Sequence, residues 1–129
     1  MNSAPYTTGE RRVTYRQLMQ GFDASQGHAD GVRWAWLVAA HVVGQHDFLL
    51  HWKNHVAMLR FGLVLRDYPE AAGQLFRLLL VPLGHLFARL PAGNSGRANV
   101  SAFKPMALED SVEQLIQTAR LVGNTKMQE

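Results

Sequence analysis

The sequence predicts an all-α domain of about five helices, packed as a bundle of helical hairpins with an irregular loop before the last helix. Three observations lead there. Apolar residues recur at three- and four-residue spacing along most of the chain. No stretch alternates at period two for more than a few residues, which argues against a sheet. Breaks bearing Gly, Pro or Asp fall at intervals that suit helices. With 129 residues, 47% of them hydrophobic, the chain can bury one core but is too short to suggest two.

The first helix is expected over about residues 14–25. Thr14 can cap it, Gln17 stands three residues on, and Val13 can staple to Leu18. Ser25-Gln26-Gly27-His28 supplies the stop. Asp30 is the natural cap of a second helix, Gly31 to Gln45, with Val32, Trp36, Ala39, Ala40 and Val43 on its apolar side. A tight connection at His46 to Phe48 leads to a third, Leu49 to Leu65, whose Trp52, Val56, Leu59 and Leu63 share a side. Asp67-Tyr68-Pro69-Glu70 opens a fourth, with Asp67 as cap, Pro69 in the first turn and Glu70 placed for a reciprocal bond. Leu75, Phe76, Leu78 and Leu79 form its expected apolar run to a break or kink at Pro82, with a short helical continuation to Leu90. Residues 91–105 have neither period and many turn formers. The last helix, Leu108 to Val122, carries Glu109 and Asp110 in its first turn, Val112, Leu115, Ile116 and Ala119 as its stripe, and Gly123 as its stop. This divides the chain into a flexible segment 1–12, one helical domain 13–123 and a flexible tail 124–129.

Composition narrows the chemistry. The absence of cysteine removes disulfides, thiolate catalysis, iron–sulfur ligation and cysteine-based zinc sites. The one stretch that could tempt a membrane reading, Leu78 to Gly84, is far short of the roughly 20 residues a membrane helix needs. The N-terminal segment lacks the pattern of a secretory signal, so the expected location is the cytoplasm. A net charge of +3 is mild, and the arginines are scattered from Arg11 to Arg120, so a nucleic-acid surface is not expected.

The histidines hold the functional lead. Of six, four lie between residues 41 and 55: His41, His46, His51 and His55. His51 and His55 are four apart, on one face of the third helix, where two imidazoles can reach one ion. Folding helices two and three about a turn near residue 48 pairs positions whose numbers sum to about 96. His41 then faces His55, and Gln45 faces His51. Three imidazoles with an amide neighbour suit zinc, nickel or copper and leave a fourth position open. An open zinc position is what hydrolysis needs, yet Asp47 and Asp67 are the nearest carboxylates in sequence and neither stands in a His-Glu-x-x-His pattern. The same four residues would equally make a buried polar network that fixes helix register.

Other features are weaker. His28 and His85 are read as separate from the cluster, with His85 a candidate additional ligand. Met58, seven residues after His51, is core filler or a thioether donor to copper. Trp34, Trp36 and Trp52 read as core aromatics. Gly93-Asn94-Ser95-Gly96 makes a turn more readily than an anion nest, since it lacks the Lys-Ser/Thr end of a phosphate loop.

The run Ala40-His41-Val42-Val43-Gly44-Gln45, then His51, His55 and Met58-Leu59-Arg60, then Gly93 to Gly96 with Asn99-Val100-Ser101 and Pro105-Met106, resembles a bacterial family known as domain of unknown function 3703. The resemblance spans about residues 14–120. It implies a short cytosolic protein in which positions matching His41, Gln45, His51 and His55 recur, with His46 peculiar to this chain. It also implies helical hairpins similar to tetratricopeptide repeats, although no self-similarity of about thirty-four residues is present. No activity comes with it. Two functions follow: a cytoplasmic metal- or cofactor-binding protein using His41, His51 and His55, or a non-enzymatic interaction module, in which the histidines are structural and apolar faces bind a partner or a second copy as a homodimer. A metal-assisted hydrolase is a third.

Overall fold

The computed structural model describes residues 5–87, 94–98 and 109–129. Among them are five helices and no strand: α1 (Thr8–Ala24), α2 (Asp30–Gly44), α3 (Phe48–Val64), α4 (Tyr68–Leu86) and α5 (Asp110–Gln128). Successive helices pack as hairpins, and α5 returns to lie on α1 and α2, which closes the bundle. Where those three meet, Tyr15, Leu18, Ala40, Val43, Val112 and Ile116 form the main core. A second cluster of Trp34, Leu37, Met58 and Phe61 joins α2 to α3. None of the helices is long and apolar enough to cross a membrane.

Helix ends follow their caps. Helix α1 starts at Thr8, earlier than the Thr14 cap predicts, because Thr7 and Glu10 form a reciprocal capping box. It thereby takes in residues that the sequence assigns to a flexible segment. Asp30 is the first residue of α2 rather than its cap, which is Ala29. Asp47 caps α3 by accepting from the amides of Leu49 and Leu50, and Asp67 caps α4 as expected. Helix α4 runs through Pro82 to Leu86, within the expected continuation, and residues 88–90 lie outside the described residues. Helix α5 passes through Gly123 into the expected tail, because that glycine is not a stop. It lies buried against α1, where a Cβ would come within 2.9 Å of Val13. Of the predicted loop 91–105, residues 94–98 are described and the rest lie outside the described residues.

The largest departure concerns which faces point inward. Trp52 and Leu63 of α3, and Leu75, Phe76 and Leu79 of α4, are exposed. Facing inward are His51, Asn54, His55 and Met58 of α3 and Glu70, Gln74 and Arg77 of α4, beside Leu50 and Phe61 of α3, Val81 of α4 and, as expected, Leu78. Both helices carry apolar residues on two sides, so spacing alone does not select one. A polar face is stable inside when its groups bond one another.

Candidate metal centre

Three imidazoles converge between α2, α3 and α4. His41 sits in the last turn of α2. The Asp47 cap sets where α3 begins, and four-residue spacing then turns His51 and His55 to the same inner side. The ring centroids form a nearly equilateral triangle, 5.0 Å from His41 to His51 and 4.9 Å from His55 to each of the other two. One nitrogen from each ring lies within 4.8 Å of the others, and all three residues are buried.

Hydrogen bonding fixes which nitrogens carry protons. His41 Nδ1 is 2.7 Å from the Asn94 carbonyl, which only accepts, so His41 is protonated at Nδ1 and carries its lone pair on Nε2. Gln74 donates its Nε2 amide to the Gly96 carbonyl at 3.0 Å and toward Glu70 at 3.4 Å, which leaves its Oε1 as acceptor. His55 Nδ1 donates to that oxygen at 2.7 Å, so His55 too carries its lone pair on Nε2. His51 Nε2 stands 3.1 Å from His55 Nε2 and must supply the proton between them. His51 Nδ1 then accepts from His85 Nε2, also at 3.1 Å. A chain of donation therefore runs from His85 through His51 to His55.

All three rings are neutral at neutral pH. Burial pushes His41 well below the ordinary imidazole range, helped by the neighbouring His55 and His51. Burial takes His51 down to about 3, with His55, His85 and His46 adding to the effect. Burial lowers His55 to about 4 against the opposing pull of its Gln74 bond, and the charge of Arg77 on α4 lowers it further. Neutral imidazole is the form that ligates metal.

Residues 94–98 clamp this arrangement. Asn94 accepts from the Gly96 amide at 2.9 Å, a tight turn in which Gly96 adopts φ +77°. Glycine is required there twice over, by that left-handed backbone and because a Cβ would strike the His41 ring. The Glu70 carboxylate accepts from the Ala98 amide at 2.7 Å and pairs with Arg97, whose guanidinium lies 3.7 Å from the Trp34 ring centroid. The turn thus presents a carbonyl to His41 and another to Gln74, rather than a nest of donors to an anion.

His41, His51 and His55 are brought together as their spacing predicts. Gln45 is buried at the end of α2, but the amide bonded to an imidazole is Gln74. His46 is exposed and outside the triangle. Met58 is fully buried in the cluster with Trp34, Leu37 and Phe61. His85, read as separate, bonds His51 and packs edge-on against Phe48, with centroids 5.3 Å apart. Sequence reasoning missed Glu70, Gln74 and Asn94. One signal was present: Glu70, Gln74, Arg77 and His85 recur at helical spacing on one side of α4.

Among comparisons with known proteins, no curated protein and no solved structure matches the chain. A family model described as a protein of unknown function, DUF3703, matches residues 9–116, which span all of the residues that build the triangle. The resemblance read in the His41, His51 and His55 motifs thus extends over most of the sequence, and the chain belongs to the DUF3703 family.

Proposed function

We propose that this protein binds one divalent transition-metal ion, zinc, nickel or copper, through Nε2 of His41, His51 and His55. One observation carries the reading. Two of the three rings are held from behind by Nδ1–H bonds to fixed oxygens, which leaves the Nε2 lone pair of each as the one that can ligate, in a group whose ligand atoms lie within 4.8 Å of one another. Metal-binding histidines are held in this way, with the distal N–H on a carbonyl or carboxylate. A tetrahedral site with bonds of roughly 2.0–2.1 Å needs ligand atoms about 3.3 Å apart. One nitrogen of each ring lies within 4.8 Å of the others, and Nε2 of His51 and His55 are 3.1 Å apart, so small ring movements suffice. Binding would move the His51 proton from Nε2 to Nδ1, and His85 would accept that N–H at Nε2 with its own proton shifted to Nδ1.

Three protein ligands leave a fourth position, and the charge of Arg77, which acts on His41 and His55, favours an anion there. Hydrolysis is not the reading supported best. Asp47 is spent on capping α3, and Glu70 is engaged by Arg97, Ala98 and Gln74. Sequestration or sensing of the ion suits a site with these partners better.

A second reading has its own observation. The His51–His55 bond closes the network without any ion, so the cluster can serve as a polar lock between α2, α3 and α4. Elemental analysis and calorimetric titration with zinc, nickel and copper separate the two. Binding of one equivalent, lost in His41→Ala, His51→Ala and His55→Ala, is the expected result. Absence of binding by the wild type, with lowered melting temperatures in the variants, would establish the lock instead.

A further inference from the structure

Helix α4 is apolar on two sides, with Ala71, Leu78 and Val81 buried and a second apolar stripe facing outward. Its two charged residues, Glu70 and Arg77, are buried, and its outward side carries no charge at all. Tyr68, Ala72, Leu75, Leu79, Pro82 and Leu86 follow one another at spacings of four and three along that side. At 3.6 residues per turn they fall within an arc of about 80°. The exposed fractions are large, 55% at Leu75, 71% at Leu79 and 74% at Leu86. Phe76 and Leu83 widen the stripe on one side.

We propose that this stripe is a homodimer interface in which α4 packs antiparallel on α4 of a second copy about a two-fold axis. The proposal does not depend on metal binding. Alternating spacings of four and three are the signature of a seam between two helices. The stripe together with Phe48 and Trp52 of α3 leaves on the order of 1,000 Å² of apolar surface open, against about 800 Å² per partner in a standard interface. That also exceeds the roughly 300–600 Å² patch of an ordinary monomer. A surface without charge meets no repulsion from its own copy across a two-fold axis, the commonest symmetry of oligomers. A membrane fits less well, because helices lying on bilayers carry Lys and Arg on the flanks of the apolar face, whereas the arginine of α4 points inward.

The chain has no cysteine, which makes the test direct. Sedimentation equilibrium of the full chain should give a dimer. Leu79→Lys should weaken it about a hundredfold or more with helix content unchanged by circular dichroism. Leu75→Cys and Leu79→Cys should each yield a covalent dimer with a short bismaleimide, whereas Leu121→Cys, exposed on α5, should not. If Leu79→Lys fails to fold, the cysteine pattern decides alone. A wild type that stays monomeric at the highest soluble concentration overturns the proposal, as does equal cross-linking at Leu121→Cys. A monomer that co-sediments with phosphatidylglycerol vesicles overturns it too, in favour of the membrane.

Discussion

His55 donates its Nδ1 proton to the side-chain oxygen of Gln74 across 2.7 Å, and Gln74 is itself held by the Gly96 carbonyl and Glu70. The orientation of one imidazole on α3 is thus set by an amide on α4 and by a segment 41 residues further along the chain. Removing that amide tests the arrangement. Gln74→Ala should weaken metal binding about 10–100-fold by calorimetry, the usual effect of losing the group behind a ligand. It should also lower stability by about 1–3 kcal/mol in urea unfolding, because His55 Nδ1 is left buried without its acceptor.

Acid should unfold the protein early. His51 titrates near 3 and His55 near 4 in the fold, and His41 is also well depressed, against about 6.5 in an unfolded chain. For a histidine with a lowered pKa the unfolded state binds more protons below 6.5, so stability is complete above that value and is lost as pH falls toward 4. Melting temperature should therefore fall steeply between pH 6.5 and 4, with an uptake of about three protons on unfolding. In His51→Ala the uptake should drop by about one proton. An unchanged pH slope in that variant would mean that His51 is not buried neutral.

Gly96 joins backbone to site. At φ +77° beneath the His41 ring, Gly96→Ala meets both a left-handed backbone and the imidazole. The expected loss is about 2 kcal/mol or more in chemical unfolding, together with weaker metal binding as His41 is displaced. Gly27→Ala makes a useful control. Its φ of +87° carries the backbone cost, but nothing lies near its Cβ, so metal binding should be unaffected.

These relationships explain what was legible in the sequence and what was not. The starts of α3 and α4 could be read closely, α4 from its Asp67 cap and α3 from the connection at His46 to Phe48 that holds its cap, Asp47. The histidine triangle could be read because four-residue spacing and one tight turn suffice to assemble it. The inward faces could not. On α3, Leu50, Met58 and Phe61 compete with Trp52, Leu59 and Leu63, and the choice falls to Asn54, His51 and His55, whose partners lie on α2 and α4. Such partners exist only once distant segments have folded together, so periodicity within one helix carries no trace of them. The Thr7 and Glu10 box was local and readable, but Thr14 offered a competing start closer to the apolar run.

His85 and His46 separate a residue that supports the site from one that is merely near it in sequence. His85 is partly buried and bonds His51 Nδ1 through Nε2, whereas His46 is exposed and lies outside the triangle. When His51 gives its Nε2 lone pair to an ion, its proton resides on Nδ1 and needs an acceptor, which His85 supplies at Nε2 in its Nδ1-protonated tautomer. His85→Ala should therefore weaken zinc binding about tenfold. Because His85 sits at the edge of the core rather than within it, helix content should be preserved. His85→Gln, whose amide oxygen can accept the same proton, should restore most of the affinity, and His46→Ala should leave it unchanged. Equal losses in His85→Ala and His46→Ala would point to a general electrostatic effect of imidazoles near the site. A loss confined to His85→Ala and rescued by glutamine would identify the bond to His51 as the cause.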